Sequence, residues 1–306
     1  MGLLVVGSVG LDTVITPFAK IENALGGSAV YVTLTASYFS GPVYLVGVVG
    51  EDFKKENIGL LESHNIDLEG LKIVKGDKTF RWTGKYHYDL NIRDTLSTEL
   101  NVFEKFNPVI PENYKKSRFV LLGNIDPVLQ LRVLDQMIDP KFIVCDTMNF
   151  WIEGNKPKLL EVLKRVHVLI INDSEARLLS QEPNLIKAAK IIKELGPEFL
   201  IVKKGEHGAL LFGDNTVFSA PAYPLENIFD PTGAGDTFAG GFIGYIHRTQ
   251  DRSFENMKRA VIYGSTMASF CVEKFSVKGL ENLNFLQIHD RFREFLKLSR
   301  FEDDAE

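Results

Sequence analysis

The sequence predicts an α/β protein with a doubly wound, mostly parallel sheet and helices on both of its faces. Six short apolar runs lack polar alternation, as expected for strands that are buried on both sides of a parallel sheet. Helical patterns separate these runs, so right-handed crossovers would connect the strands. The predicted strands span residues 3–6, 43–49, 119–122, 142–144, 168–171 and 199–202, and the predicted helices span 29–39, 54–63, 128–137, 158–166, 175–180 and 185–195.

Length and composition fit a single folded unit. The chain has 306 residues, of which 45% are hydrophobic and 25% charged, and no repeat or low-complexity linker divides it. We therefore expect one domain over residues 1–306, in which only the acidic tail at 302–306 is solvated. With 35 basic and 40 acidic residues, the net charge of −5 offers no positive surface for nucleic acid or an anionic membrane.

Cysteine usage and the N-terminus bear on the compartment. Cys145 and Cys271 lie in apolar segments without a CxxC partner or a nearby histidine ligand. This pattern favours buried, reduced thiols over a disulfide or a zinc site, and reduced thiols favour the cytoplasm. The apolar run at the N-terminus lacks a basic flank and is too short for a signal peptide or a membrane span.

Two segments, residues 11–19 and about 72–106, interrupt the α/β alternation. They are rich in threonine, β-branched and aromatic residues, and the stretch 79–88 alternates in polarity. We expect them to form antiparallel strands that pair into a small sheet at the carboxyl edge of the main sheet. Such a sheet could act as a lid over a substrate; the alternative is a dimerisation surface, or both.

The segment from Asp230 to Gly241, DPTGAGDTFAGG, joins a glycine-bracketed turn to an apolar helix. Residues 233–235 are expected in the first helical turn, where free amides and the helix dipole can bind an anion. Asp236 would repel a phosphate in the ground state, yet it could accept the proton of a hydroxyl that attacks that phosphate. The alternative role for Asp236 is a helix cap.

The whole string resembles the signature of the ribokinase family, also called the PfkB carbohydrate kinase family. The resemblance implies a ribokinase-like fold, a lid over the substrate site, and phosphoryl transfer from ATP, with Mg²⁺, to a hydroxyl group. It assigns the anion hole to Gly233, Ala234 and Gly235 and the role of base to Asp236. Asp230 would help to hold a cation near the same turn, either a metal or a monovalent ion.

Similarity to the family also places the acceptor near the entrance of the helix predicted at 29–39. There a Gly-Gly pair would lie against the acceptor, and an Asp after the first strand would bind its hydroxyls. Two departures weaken a ribose or hexose assignment: Tyr31 replaces the Asn of several sugar kinases, and the segment 145–151 lacks the Arg of fructokinase-like members. The implied acceptor-site residues are Asp12, Gly26, Gly27, Ser28, Tyr31 and Asn149.

On the nucleotide side, Asn172 and Glu175 match the family's Asn-x-x-Glu motif, which the resemblance assigns to hydrated Mg²⁺. The same spacing suits a capping box at a helix start, and both roles can coexist. A Lys-Gly-x-x-Gly turn would lie along ATP, with Lys204 or Lys203 neutralising phosphate charge. The implied nucleotide and metal residues are Asn172, Glu175, Lys204, Gly205, Gly208, Gly264 and Ser265.

We therefore predict an ATP- and Mg²⁺-dependent kinase with a small-molecule acceptor. A Walker-type loop is absent from the sequence, and no G-x-G-x-x-G follows the first strand, which disfavours a Rossmann dehydrogenase. Aromatic side chains that could stack a base favour an adenosine-like nucleoside; a pentose or hexose kinase and a non-catalytic nucleotide-binding module are the alternatives. These aromatic residues are Tyr31, Phe80, Trp82, Tyr86 and Tyr88.

Overall fold

The apolar runs become strands in the computed structural model, which describes residues 2–213 and 216–300. The acidic tail at 302–306 lies outside the described residues. Two separate sheets are formed. The strands are β1 (Leu3–Val6), β2 (Gly10–Ile15), β3 (Lys20–Gly26), β4 (Val43–Gly50), β5 (Ile66–Val74), β6 (Phe80–Tyr86), β7 (Arg93–Glu99), β8 (Phe119–Leu122), β9 (Phe142–Asp146), β10 (Val168–Asn172), β11 (Phe199–Lys203), β12 (Ala209–Phe212) and β13 (Val217–Ala220).

The large sheet has nine strands in the order β13-β12-β11-β10-β9-β8-β1-β4-β5. All neighbours from β11 to β5 pair in parallel, and the β12–β13 hairpin adds an antiparallel edge. This arrangement confirms the predicted doubly wound, mostly parallel sheet. Strand β5 was not predicted, because this edge strand is only partly buried and its residues alternate in polarity. Residues 72–74, which we expected in the small sheet, end β5 instead.

Helices cover both faces of the large sheet. Among the described residues, no helix is long and apolar enough to cross a membrane. The helices are α1 (Ser28–Ser37), α2 (Lys55–Ser63), α3 (Pro127–Gln136), α4 (Asn149–Gly154), α5 (Lys156–Leu163), α6 (Asp173–Ser180), α7 (Leu185–Glu194), α8 (Ala234–Thr249), α9 (Phe254–Val272) and α10 (Phe285–Ser299).

Strand β1 shows how the two core layers are divided. Successive side chains of a strand point to opposite faces. Leu3 and Val5 belong to the layer under α1, α8 and α9, whereas Leu4 and Val6 belong to the layer under α3, α5, α6 and α7. All four side chains are fully buried, which explains why the run carries no polar alternation.

The small sheet has the order β3-β2-β6-β7. Its outer pairs are antiparallel, as expected, but the central pair β2–β6 is parallel, with Gly10 opposite Phe80. The reason lies in the large sheet: β1 and β5 run in the same direction, so the chain leaves both at the same carboxyl edge and enters β2 and β6 side by side. Strand β3, which the sequence pattern did not reveal, completes the sheet and ends at Gly26.

Two helical glycines give a matched test of the packing between α1 and α8. A Cβ at Gly240 of α8 would lie 2.6 Å from the carbonyl oxygen of Val32, whereas a Cβ at Gly59 of α2 would meet no atom within 4 Å. Gly240→Ala should therefore lower the free energy of unfolding by about 1–3 kcal/mol. Gly59→Ala should raise it by up to about 1 kcal/mol, since only the helix propensity changes. Urea unfolding of both variants checks the pair, and a stable Gly240→Ala protein would contradict the close helix contact.

Candidate functional site

A cleft of about 1170 Å³ opens at the carboxyl edge of the large sheet, beside the start of α8. Parallel strands bring their carboxyl ends to one edge, which is where sites of α/β proteins assemble. Its wall combines an apolar part near Phe238 and Leu225 with a polar part at the ends of β9, β10 and β11. The polar part includes Asp146, Thr147, Asn172, Glu175, Lys203 and Asp236, with Arg93 reaching in from β7.

The turn before α8 depends on a glycine. Gly233 has a φ of 77°, in the left-handed region, and a Cβ there would overlap the ring of Tyr31. Gly233, Ala234 and Gly235 all line the cleft, and amides in a first helical turn lack acceptors within the helix. The predicted anion-binding turn therefore faces the cleft. The Ala234 amide, which we expected in the anion hole, donates instead to the Pro231 carbonyl at 3.1 Å. Tyr31 itself is only 1% exposed, so its ring supports the turn from below and is not available to stack a base.

Asp236 lies in the first turn of α8 and faces the cleft. Burial raises the pKa of its carboxyl to about 7, and repulsion from Asp146 adds to the shift, while Lys203 and Arg93 oppose it. A carboxyl that titrates near neutral pH is well matched to accepting a proton. The position of Asp236 and its raised pKa are compatible with a general base, and that role stays a prediction.

Asn172 and Glu175 form the capping box that the sequence allowed. The Asn172 amide donates to Glu175 Oε2 at 2.8 Å, and the Glu175 amide donates to Asn172 Oδ1 at 2.8 Å. Both residues nevertheless line the cleft. Burial raises the pKa of Glu175 to about 7; Lys203 opposes this shift and Asp146 adds to it. The metal role of this pair stays a prediction, and the box fixes its oxygens at the cleft wall.

None of the predicted acceptor residues lines the cleft itself. Asp12 is 6% exposed, accepts a hydrogen bond from the Gly27 amide, and would collide with any Cβ on Gly26. Burial raises the pKa of Asp12 to about 7, with further repulsion from Asp230 and Asp236. Asp12 and Asp236 are therefore electrostatic neighbours. Ser28 closes the adjoining turn, since its Oγ accepts from the Ser8 amide at 3.1 Å.

The remaining predicted residues divide into two sets. Gly205, Gly208 and Ser265 line the cleft, whereas Lys204, Gly264, Asn149 and Asp230 do not.

Each residue of the second set has another place in the structure. The Lys204 amide closes its own turn on the Gly208 carbonyl at 2.7 Å. Gly264 lies against α8, because a Cβ there would be 2.8 Å from the Phe238 carbonyl oxygen. Asn149 is exposed at the start of α4. Asp230 is 1% exposed and accepts from the amides of Thr232, at 2.9 Å, and Ser276, at 3.0 Å.

The aromatic residues proposed to stack a base are mostly engaged elsewhere. Phe80 packs on Phe103, and the Tyr86 hydroxyl lies 3.1 Å from that of Thr232. Trp82 lies under the Arg93 guanidinium, 5.3 Å from ring centroid to Cζ. Only Tyr88, among the five that we proposed, lines the cleft. Alternation in a small sheet turns most such rings toward neighbouring strands and helices, which explains the difference.

Some residues of the cleft wall were not predicted. Asn124 lies two residues after the end of β8, and the rule that polar residues after parallel strands meet at one edge could have found it. Tyr223, Leu225 and Ile228 belong to an irregular segment between β13 and α8. No periodic pattern marks such a segment, so only the folded chain brings these side chains to the cleft.

The raised pKa of Asp236 has a consequence for stability. Because the folded protein favours the protonated carboxyl, its contribution is fully present below the ordinary pKa of 3.8 and is lost as pH rises through about 7. Asp236→Asn should therefore raise the free energy of unfolding at pH 8 by about 1–3 kcal/mol, and the gain should shrink toward pH 5. Urea unfolding at both pH values measures this. Asp290→Asn, at an exposed position of α10, is the matched control, and an equal gain at both pH values would contradict the assignment.

Comparison with known proteins fits this site. The model of the pfkB family carbohydrate kinases matches residues 7–282. A cytidine kinase of Thermococcus kodakarensis is 32% identical over 251 residues, which cover 80% of this chain and 88% of the relative. A nucleoside kinase of Methanothermobacter thermautotrophicus is 27% identical over 89% of both chains. The solved structure of a putative ribokinase II from E. coli, in complex with ATP and Mg²⁺, superposes with a TM-score of 0.80 at 19% identity, covering 96% of this chain and 99% of that one.

The fold is similar to that of the solved ribokinase II structure, and the family model spans the glycine turn before α8. The chain belongs to the pfkB family of carbohydrate kinases.

Proposed function

We propose that this protein is an ATP- and Mg²⁺-dependent nucleoside kinase. The observation that carries the reaction type is Asp236, a carboxyl with a pKa of about 7 in the first turn of α8, beside the amides of the glycine turn. The support for a nucleoside acceptor comes from the relatives named cytidine kinase and nucleoside kinase, each matched over most of its length.

Asp236 would act as the general base. Its carboxylate accepts the proton of the acceptor hydroxyl while that oxygen forms a bond to the γ-phosphorus of ATP. The bond from the γ-phosphorus to the β,γ-bridging oxygen breaks, and ADP leaves with that electron pair. The Gly235 amide would donate to a phosphoryl oxygen where negative charge develops, an effect often worth about 3–4 kcal/mol per donor. The Ala234 amide donates to the Pro231 carbonyl at 3.1 Å.

The residues present suit Mg²⁺ and a triphosphate. Asp146, Asn172 and Glu175 offer oxygen atoms, the ligands that Mg²⁺ prefers, on one side of the glycine turn. In the described part of the chain, no group of three or more His, Cys, Asp or Glu could by itself hold a metal ion. Water and phosphate oxygens would therefore complete the coordination, and the bound ion would neutralise charge on the phosphates.

Asp12 would orient the acceptor. Its buried carboxyl lies near Asp236, where it could accept hydrogen bonds from ribose hydroxyls. The missing Cβ of Gly26 leaves room for the Asp12 carboxyl, and that of Gly27 leaves room for the Ser8 carbonyl. A sugar kinase would use the same arrangement. The names of the relatives favour the nucleoside, and the catalytic surroundings of Asp236 favour an enzyme over a binding module.

An assay of ADP release tests this proposal. We expect turnover with cytidine, adenosine or another nucleoside, dependence on Mg²⁺, and little turnover with ribose, fructose or their phosphates.

Asp236→Asn should lower kcat by about 10²-fold or more while ADP still binds, because only the proton acceptor is removed. Replacing potassium by tetramethylammonium in the same assay tests the predicted monovalent cation near Asp230. Turnover confined to sugars, or ATP binding without turnover on any acceptor, would contradict the proposal.

We also propose that the small sheet covers the acceptor and joins two copies of the chain. Strand β7 forms its edge and all its residues are exposed, including Leu96 at 54%. An exposed edge strand with an apolar side chain is a ready surface for another strand. The buried free thiols Cys145 and Cys271 support a reducing compartment such as the cytoplasm.

The dimer proposal predicts the effect of a charge on that edge. Leu96→Asp should shift the mass measured by sedimentation equilibrium toward the monomer, because a carboxylate at the edge resists burial. Leu286→Asp, at a position of α10 that is 68% exposed, is the matched control and should leave the mass unchanged. A wild-type protein that is monomeric at high concentration would exclude the dimer.

A further inference from the structure

Lys203 lies between Asp146, at the end of β9, and the first turn of α8. It is the last residue of β11 and pairs in register with Asn172 of β10. Its side chain is 18% exposed, which is unusual for a lysine. The sequence placed Lys204 in the nucleotide site with Lys203 as the alternative, whereas in the structure Lys203 and not Lys204 lines the cleft.

The position of Nζ is fixed by two neighbours. Nζ lies 3.5 Å from Asp146 Oδ2, and it lies 2.8 Å from the point that a Cβ on Gly235 would occupy. The ammonium group is therefore packed between Gly235, in the first turn of α8, and the carboxyl of Asp146. A side chain at residue 235 would displace it.

Three carboxyls face the ammonium group of Lys203: Asp146 from β9, Glu175 from α6 and Asp236 from α8. Arg93 of β7 also acts on Asp236. An ammonium group carries three donors and no acceptor, so Lys203 can donate hydrogen bonds to oxygen atoms on more than one side.

The other basic groups of the cleft are less constrained. Within the described ranges, the cleft is lined by Arg93, Lys203 and His207 as its basic residues. Arg93 is exposed on the small sheet, and the His207 side chain is 74% exposed. Lys204 does not line the cleft. A cation held in place before the ligand arrives loses little freedom on binding, which makes it the more effective phosphate partner.

We infer that Lys203 Nζ contacts the phosphoryl group that is transferred, and that Asp146 positions this ammonium group. The inference rests on the proposed function and names the contact that the cleft offers to the third phosphate of the nucleotide. In this arrangement Lys203 donates hydrogen bonds, and the hydroxyl proton still passes to Asp236. Charge that develops on the phosphoryl oxygens is met by the ammonium on one side and by the amides of α8 on the other.

Two nucleotides that differ in one phosphate provide the test. The dissociation constants of ADP and of β,γ-imido-ATP are measured by calorimetry with Mg²⁺ for the wild type, Lys203→Met, Lys203→Arg and Lys204→Met. Lys203→Met should weaken β,γ-imido-ATP relative to ADP by about tenfold or more, the size of one charge-assisted hydrogen bond. Lys203→Arg should restore part of that difference. Lys190→Met, at an exposed position of α7, should leave the ratio unchanged.

Loss of Lys203 leaves Asp146 as a buried carboxylate without its partner, which can unfold the protein. Asp146→Asn removes this buried negative charge, so we also compare Asp146→Asn with the double variant Asp146→Asn/Lys203→Met. The difference between these two variants in the ratio of the dissociation constants of β,γ-imido-ATP and ADP gives the effect of the lysine alone. An unchanged ratio on loss of Lys203, or a shift found in Lys204→Met instead, would overturn the inference. If loss of Lys203 shifts the affinity ratio but the wild type turns over no nucleoside, the proposed function fails and the phosphate contact stands.

Discussion

The structure depends on holding several carboxyls close together, partly out of water, around the start of one helix. Asp12, Glu175 and Asp236 each have a pKa raised to about 7, and burial is the largest cause in every case. Without nearby cations, such buried carboxyls would be protonated or would draw water into the cleft. Lys203 opposes the shift at Asp236 and Glu175, and Arg93 opposes it at all three.

This unfavourable arrangement is what makes the cleft suited to a metal and a phosphate. Under the proposed function, a bound cation would relieve the repulsion among the carboxyls, and an anion would contact the start of α8 and Lys203. The free energy cost of burying these carboxyls would then be offset when ligands bind, which is a common trade between stability and activity. The rigid sheet makes it possible, because β9, β10 and β11 end side by side and cannot separate their side chains.

Both sheets contribute charged side chains around Asp236. The large sheet fixes Asp146, Asn172 and Lys203 by register, while the small sheet supplies Asp12 from β2 and Arg93 from β7. Because β2 and β6 leave the same edge of the large sheet and pair in parallel, the small sheet stands over that edge. Groups from both sheets therefore act on Asp236, and a change in the angle between the sheets would alter the charge that it experiences.

The sequence by itself determined the fold class, most strands and helices, and the glycine turn with Asp236. These features are local: an apolar run, a helical period or a glycine at a left-handed position leaves its mark within a few residues. Only the tertiary structure decided that Lys203 and not its neighbour Lys204 enters the cleft, that Tyr31 supports Gly233 from below, and that β2 pairs in parallel with β6. Each of these three contacts joins segments that are far apart in the chain. Because Lys203 and Lys204 are neighbours of the same residue type, the local sequence does not indicate which of them faces the cleft.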